Sequence, residues 1–363
     1  MIGSGKPARL ASRDWIVWMD PMSAIRTKEA LIQEASKQTA LDASREIANS
    51  IYYANDNPQK IDFFVTGNAI NPFFVPEARD GLDPTRVFNA DAYRKCIAMA
   101  RLAAANSTTT KVLYSSAPKS GSTFVSHKIG VAFNLVRVCM TLYSASSMGD
   151  VNFGGAIREA NIDEMALLGS CLLPQGVYAQ HHIACTPLTA NYLKLYNVVP
   201  ILSVRNIFDT LISYDDHFRR ALSNSRENPF MRYGMPSDYL ERDFDDRIDV
   251  LIDMKLAWYM KYMATWQACE KSGLVDPLWI VYERDILGDK TKLAQRIGER
   301  LKRPLQDVLK LAVGLTDKDG MNLNVNKAVA GRGEQITGRN RQRIEDFFHR
   351  YRREGDFSAY LDA

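Results

Sequence analysis

From Lys111 onward the chain alternates short apolar runs with longer amphipathic ones, an order that leads to helices packed on a largely parallel sheet. Strands are predicted over Lys111 to Ser116, Gly176 to His181, Val198 to Val204 and Leu278 to Tyr282. Helices are predicted over Phe208 to Leu222, Arg247 to Lys271, Lys292 to Leu301 and Asn340 to Arg352. After the first strand, Val125, Ile129, Phe133, Val136 and Met140 recur at spacings of four, four, three and four and predict one helix with a buried face. The fold class is therefore α/β.

Upstream, Leu31, Ile32, Ala35, Ile47 and Ile51 punctuate polar residues at roughly helical intervals and predict an N-terminal helix within Ser23 to Ile51. A loop-rich stretch over Asn55 to Thr85 surrounds a short strand near Phe63 to Val65, and a second helix is expected around Asp91 to Ala105. Residues 1–106 are read as a helical extension of unassigned role and residues 107–363 as the α/β domain.

Charge excludes some partners. The excess of 46 basic over 42 acidic residues is too slight and too dispersed for a nucleic-acid footprint. No apolar run approaches the length of a membrane span, and Trp15 to Met19 is shorter than the apolar region of a signal peptide. Five widely spaced cysteines, with no CxxC pair, fit free thiols in a reducing cytoplasm.

The first strand leads into Ala117-Pro118-Lys119-Ser120-Gly121-Ser122-Thr123-Phe124. Small residues, hydroxyls and one lysine between a strand and a helix suit an anion. Gly121 permits close backbone approach, the helix N-terminus presents N–H groups, and Lys119 adds a cation. Alone, the segment would also serve as a capped turn. It is not a Walker A loop, because Lys119 precedes Gly121 rather than following the final glycine.

Pro118 to Phe124 resembles the PKSGTTW loop of the sulfotransferases that use 3′-phosphoadenosine 5′-phosphosulfate (PAPS). The resemblance implies that Lys119 holds the 5′-phosphate and bridging oxygen, that Ser120, Gly121, Ser122 and Thr123 bind phosphate, and that Phe124 replaces a tryptophan against adenine. Arg205, Asn206, Asp209 and Ser213 fall on that family's RNxxDxxxS motif, which implies a 3′-phosphate site at Arg205 and Ser213. Taken alone, Arg205 would equally be a strand-end arginine paired with Asp209.

Gln180-His181-His182-Ile183 ends a strand with two candidate bases, since a neutral imidazole titrates near physiological pH. The family pattern KTHL favours His182, with His181 as the alternative. Gln180 stands where the better-known members carry lysine, and bacterial-looking members with a Q-x-H strand end are similar. Tyr282 falls on a YED-like element and is an expected adenine contact. Ala330 to Gln335 partly matches a closing loop, RKGxxGDW, and makes Arg332, Gly333 and Lys327 expected 3′-phosphate ligands.

The resemblance spans Lys111 to Tyr351 in ordered pieces and implies a P-loop-like, mostly parallel sheet flanked by helices. It implies sulfuryl transfer from PAPS to an acceptor hydroxyl, with His182 as base and no metal. A magnesium-dependent nucleotide kinase and a catalytically idle nucleotide-binding scaffold are the alternatives. The sequence carries no code for the acceptor or for oligomeric state. The aromatic helix with Trp258, Tyr259, Tyr262 and Trp266 could shape an acceptor pocket or simply fill the core.

Overall fold

A strand whose every residue is buried must be covered on both faces, and β1 (Lys111–Ser116) is such a strand. The computed structural model describes residues 42, 45–46, 90–141, 161–224, 235–316 and 330–362. The chain forms two compact units, residues 1–93 with 147–150 and residues 94–146 with 151–363. Of the first, only residues 42, 45, 46 and the opening of helix α1 (Ala90–Asn106) are described. Apart from residues 42, 45 and 46, which are helical, the expected helix over Ser23 to Ile51 lies outside the described residues, as do the strand near Phe63 to Val65 and the expected ligand Lys327.

In the second unit, β1 lies at the centre of five parallel strands in the order β2-β3-β1-β4-β5. The others are β2 (Val136–Arg137), β3 (Val177–His181), β4 (Val198–Val204) and β5 (Leu278–Val281). Side-chain alternation along β1 and β3 sorts the core into two clusters. Val112, Tyr114 and Tyr178 join Val125, Ile129 and Phe133 of α2 (Ser122–Phe133), together with α7 (Lys290–Arg300) and α8 (Leu305–Thr316). Leu113, Val177 and Ala179 join α3 (Glu164–Cys171), α4 (Pro187–Leu195), α5 (Ile207–Asn224), α6 (Phe244–Lys271), α9 (Gly338–Arg350) and α10 (Ser358–Leu361).

The helix after β1 and the helix after β4 thus belong to opposite faces, although the two strands are neighbours in the sheet. The loops leaving them separate at their C-terminal ends, the topological switch point where ligands bind to open α/β sheets. Register brings the ends of three strands to one level, with Ser115 opposite both His181 and Leu202, and Ser116 opposite Ser203. At the other end of β1, the buried Lys111 donates to the Ala104 and Ser107 carbonyls (3.0 and 3.2 Å), closing the end of α1.

The expected continuation of α2 to Met140 is corrected. Asn134 adopts the left-handed conformation (φ 52°), and Leu135 N–H returns to the Gly130 carbonyl at 2.8 Å. Val136 then enters β2 beside β3, so its helical spacing from Phe133 is coincidental. Sequence periodicity also missed α8, and α4 with its Thr186 cap and Pro187 at the first turn. β5 stops one residue short of Tyr282, which opens a π-turn over Tyr282–Ile286.

No helix among the described residues is long and apolar enough to cross a membrane. Cys139, Cys171, Cys185 and Cys269 are free thiols.

α2 closes onto β3 at Gly130, where an added Cβ would lie 2.3 Å from the Tyr178 ring. Gly130→Ala forces one of the two to move, and a loss of about 1–3 kcal/mol is expected from such overpacking. Urea unfolding of the variant against wild type reads it.

Candidate functional site

Loop 117–121 leaves β1 and enters α2 with two residues in the left-handed region, Lys119 (φ 67°) and Gly121 (φ 75°). Glycine adopts that conformation freely, whereas for lysine it costs about 1–2 kcal/mol. A Cβ at Gly121 would also press on the Tyr282 ring, 3.0 Å away.

Five successive carbonyls hold the loop in this shape. Tyr262 Oη donates to Ser115 O (2.9 Å), His182 Nδ1 to Ser116 O (2.7 Å) and Ser120 Oγ to Ala117 O (2.6 Å). Tyr259 Oη donates to Pro118 O (2.5 Å) and Arg205 Nη1 to Lys119 O (3.3 Å). A trans peptide directs its N–H opposite its carbonyl, so the N–H groups of Lys119 and Ser120 point away from these donors. That is the construction of a backbone anion nest at a helix N-terminus. Ser120 is buried and bonded to Ser203 Oγ (2.8 Å), so it braces the loop from inside.

The aromatic residues of α6 therefore anchor the loop. Tyr259, Tyr262 and Trp266 are buried, and Trp266 Nε1 donates to Ile183 O (3.0 Å), fixing the chain just beyond His182. Trp258 stacks on Tyr262 with ring centroids 5.2 Å apart. One turn before Tyr259, Lys255 brings a cation that sequence reasoning missed. Its Nζ lies 5.3 Å from the Tyr214 ring centroid, and Lys119 Nζ lies 5.6 Å from the same centroid.

Strand parity separates the two histidines. His182 lies on the Tyr178 and Gln180 side, and its Nδ1 donates to Ser116 O, leaving the lone pair on Nε2. His181 lies on the opposite side, where its Nε2 accepts the Met140 N–H at 3.0 Å. Between them and the loop, Gln180 donates to Ser122 Oγ (3.1 Å) and Thr123 Oγ1 (3.3 Å) and accepts from Ser126 Oγ (3.2 Å). Phe124 is half-buried against the α2 side of the core, with Lys128 Nζ 5.6 Å from its ring centroid.

Arg205, at the end of β4, is 6% exposed and joins the loop to the start of α5. Its guanidinium stacks 4.3 Å from the Tyr282 ring centroid, so Tyr282 lies between Arg205 and Gly121. Nη2 reaches Asp209 (3.4 Å), which realises the strand-end pairing the sequence also allowed, and Nε lies 3.7 Å from Glu283. Asn206 caps α5 by accepting from the N–H groups of Phe208 and Asp209 (3.0 and 3.2 Å).

Asp209 carries the C-terminal loop. Its carboxylate accepts from Gly331 N (3.0 Å) and Gly333 N (2.6 Å). A Cβ at Gly333 would lie 2.4 Å from that of Phe208, so only glycine fits against the first turn of α5. Arg332 reaches Asp216 on the same helix (2.8 Å). Ser213, buried, lies one turn beyond Asp209. The structure thus brings Lys119 to Thr123, His182, Arg205, Tyr282, Arg332 and Gly333 to the C-terminal ends of β1, β3, β4 and β5. A cavity of about 1040 Å³ between α6, α9 and the C-terminal turn shares no residue with this loop.

No protein-family model matches the chain, and no curated protein is similar to it. Among solved structures it is similar to mouse sulfotransferase SULT7A1 complexed with PAP, at 16% sequence identity, over 68% of this chain and 83% of that one, with a TM-score of 0.42. A likeness this distant carries no functional argument.

Two predictions arise from the Arg205 cluster. Asp209→Ala leaves a buried guanidinium and two loop N–H groups without their acceptor, and a loss of about 3–5 kcal/mol is expected in urea unfolding. Burial pushes the Glu283 carboxyl above its ordinary value, against the nearby Arg205. The folded state therefore holds that proton more tightly than the unfolded chain. Stability from this group is complete below the unfolded value of about 4.3 and is lost as pH rises through the raised folded value. Glu283→Gln should remove that slope from the stability–pH profile.

Proposed function

We propose that this protein is a sulfotransferase that binds PAPS at the loop after β1 and passes its sulfuryl group to an acceptor hydroxyl. The observation that carries the reading is that the two motif segments, far apart in sequence, meet at one end of the sheet, with Arg205 donating to the Lys119 carbonyl. An anion nest at loop 119–123 suits a 5′-phosphosulfate. The cluster of Arg205, Ser213, Arg332 and Gly333 suits a 3′-phosphate, and Tyr282 and Phe124 supply aromatic surface for adenine.

In this reading Nε2 of His182 takes the acceptor's proton, because Nδ1 is committed to Ser116 O. The acceptor oxygen forms its bond to sulfur as the bond from sulfur to the 5′-phosphate oxygen breaks, and adenosine 3′,5′-bisphosphate leaves. Lys119 and the loop N–H groups meet the charge on the leaving oxygen and on the sulfuryl oxygens. No step in this reading uses a metal.

The residues also argue against the kinase alternative. Lys119 sits before Gly121 in a left-handed conformation, rather than opening the helix as in a Walker A loop.

Calorimetry tests the cofactor. Adenosine 3′,5′-bisphosphate should bind without metal at least tenfold more tightly than AMP or ATP, and Arg205→Ala should abolish that preference. Equal binding of all three, or ATP binding only with magnesium, sinks the assignment. With labelled PAPS and an accepted alcohol, His182→Ala should lower turnover about 10²–10⁴-fold while bisphosphate affinity stays within a few-fold. Bisphosphate binding with no transfer to any alcohol, unchanged in His182→Ala, would identify an idle scaffold.

A further inference from the structure

Gln180 is the last but one residue of β3, and its side chain crosses to the first turn of α2. There it meets three hydroxyls. Its amide nitrogen has two protons, one toward Ser122 Oγ at 3.1 Å and one toward Thr123 Oγ1 at 3.3 Å. Its amide oxygen takes the proton of Ser126 Oγ at 3.2 Å, which sets the amide's orientation. Ser126 and Ser122 are buried and Gln180 and Thr123 partly so, which shields these bonds in part from bulk water.

The direction of these bonds has a chemical consequence. A hydroxyl has one proton and two lone pairs. Ser122 and Thr123 each accept from Gln180, so neither spends its own proton on that bond. Both protons remain for an acceptor on the loop side, where the helix N-terminus and the N–H groups of Lys119 and Ser120 already favour an anion. A lysine here would also donate, but it would add a charge. An amide supplies the polarity and stays neutral.

We infer that Gln180 is a positioning residue: it orients the Ser122 and Thr123 hydroxyls as hydrogen-bond donors to a phosphoryl or sulfuryl oxygen held by loop 117–123. The inference rests on the reading of that loop as an anion site and deepens it. Gln180 acts through the two hydroxyls and forms no bond to the ligand.

A double-mutant cycle tests it. Gln180→Leu removes the amide, and Ser122→Ala with Thr123→Val removes the hydroxyls. Affinity is measured for inorganic pyrophosphate, which reads the loop alone, and for adenosine 3′,5′-bisphosphate. In the otherwise wild-type protein Gln180→Leu should weaken both by about tenfold, and in the hydroxyl-free background by less than twofold. A purely structural role would lower thermal stability and weaken binding equally in the two backgrounds, which overturns the inference, as does no weakening in either. If Gln180→Leu fails to fold, Gln180→Met, closer in shape, carries the same cycle. Wild-type binding of pyrophosphate without the bisphosphate would refute the PAPS reading, and the pyrophosphate cycle would still decide the role of Gln180. Binding of neither ligand overturns both.

Discussion

The anchoring of five consecutive carbonyls, from Ser115 to Lys119, is the constraint on which the site depends. Each bond is ordinary, with a net stabilisation of about 0.5–1.5 kcal/mol. Together they offset the cost of holding Lys119 in the left-handed region and commit the loop's N–H groups to the opposite side. The donors come from three elements besides the loop itself: Tyr259 and Tyr262 on α6, His182 after β3 and Arg205 after β4. The loop is therefore rigid to the extent that α6 and the sheet are. His182 is part of the same scaffold, because the bond that fixes the Ser116 carbonyl also selects the imidazole nitrogen left with a lone pair.

A second constraint links the end of β4, the start of α5 and the C-terminal loop through charge. Asp209 is 1% exposed, and a carboxylate so buried requires partners; it has Arg205 and two backbone N–H groups of the C-terminal loop. Glu283, at the start of the π-turn, faces the same guanidinium and accepts the Asn206 N–H at 3.1 Å. Burial raises its carboxyl above the ordinary value, against the Arg205 guanidinium it faces. The π-turn is held at its base by Asp285, which accepts from Val281 N (2.8 Å) and pairs with Arg284 and Arg296. π-turns of this kind are frequent at functional sites.

Much of the architecture was legible from local pattern. β1, β3 and β4 were read from apolar runs, and all three lie in the sheet as expected. Reading failed where a single residue overrides periodicity. Asn134 ends α2 by adopting a conformation that asparagine tolerates, although Val136 and Met140 continue the apolar spacing. α8 escaped notice because Leu305, Leu309 and Val313 are exposed while Val308, Leu311 and Leu315 are buried, which blurs the apolar stripe. The aromatic residues of α6 were visible, but nothing in their spacing told that two hydroxyls would hold loop carbonyls.

By itself the sequence determined the strand–loop–helix segment, the glycine where the loop needs a left-handed residue, and the cation and hydroxyls within it. These are properties of adjacent residues, set by local sterics and by which groups a short segment carries. Only the tertiary structure decided which histidine faces the loop, which carbonyls are held, and that Arg205, Asp209, Glu283 and Gly333 form one cluster. Those outcomes depend on strand parity, register and packing between residues far apart in the chain. Hydrogen-bond geometry of that kind exists only once the sheet has assembled.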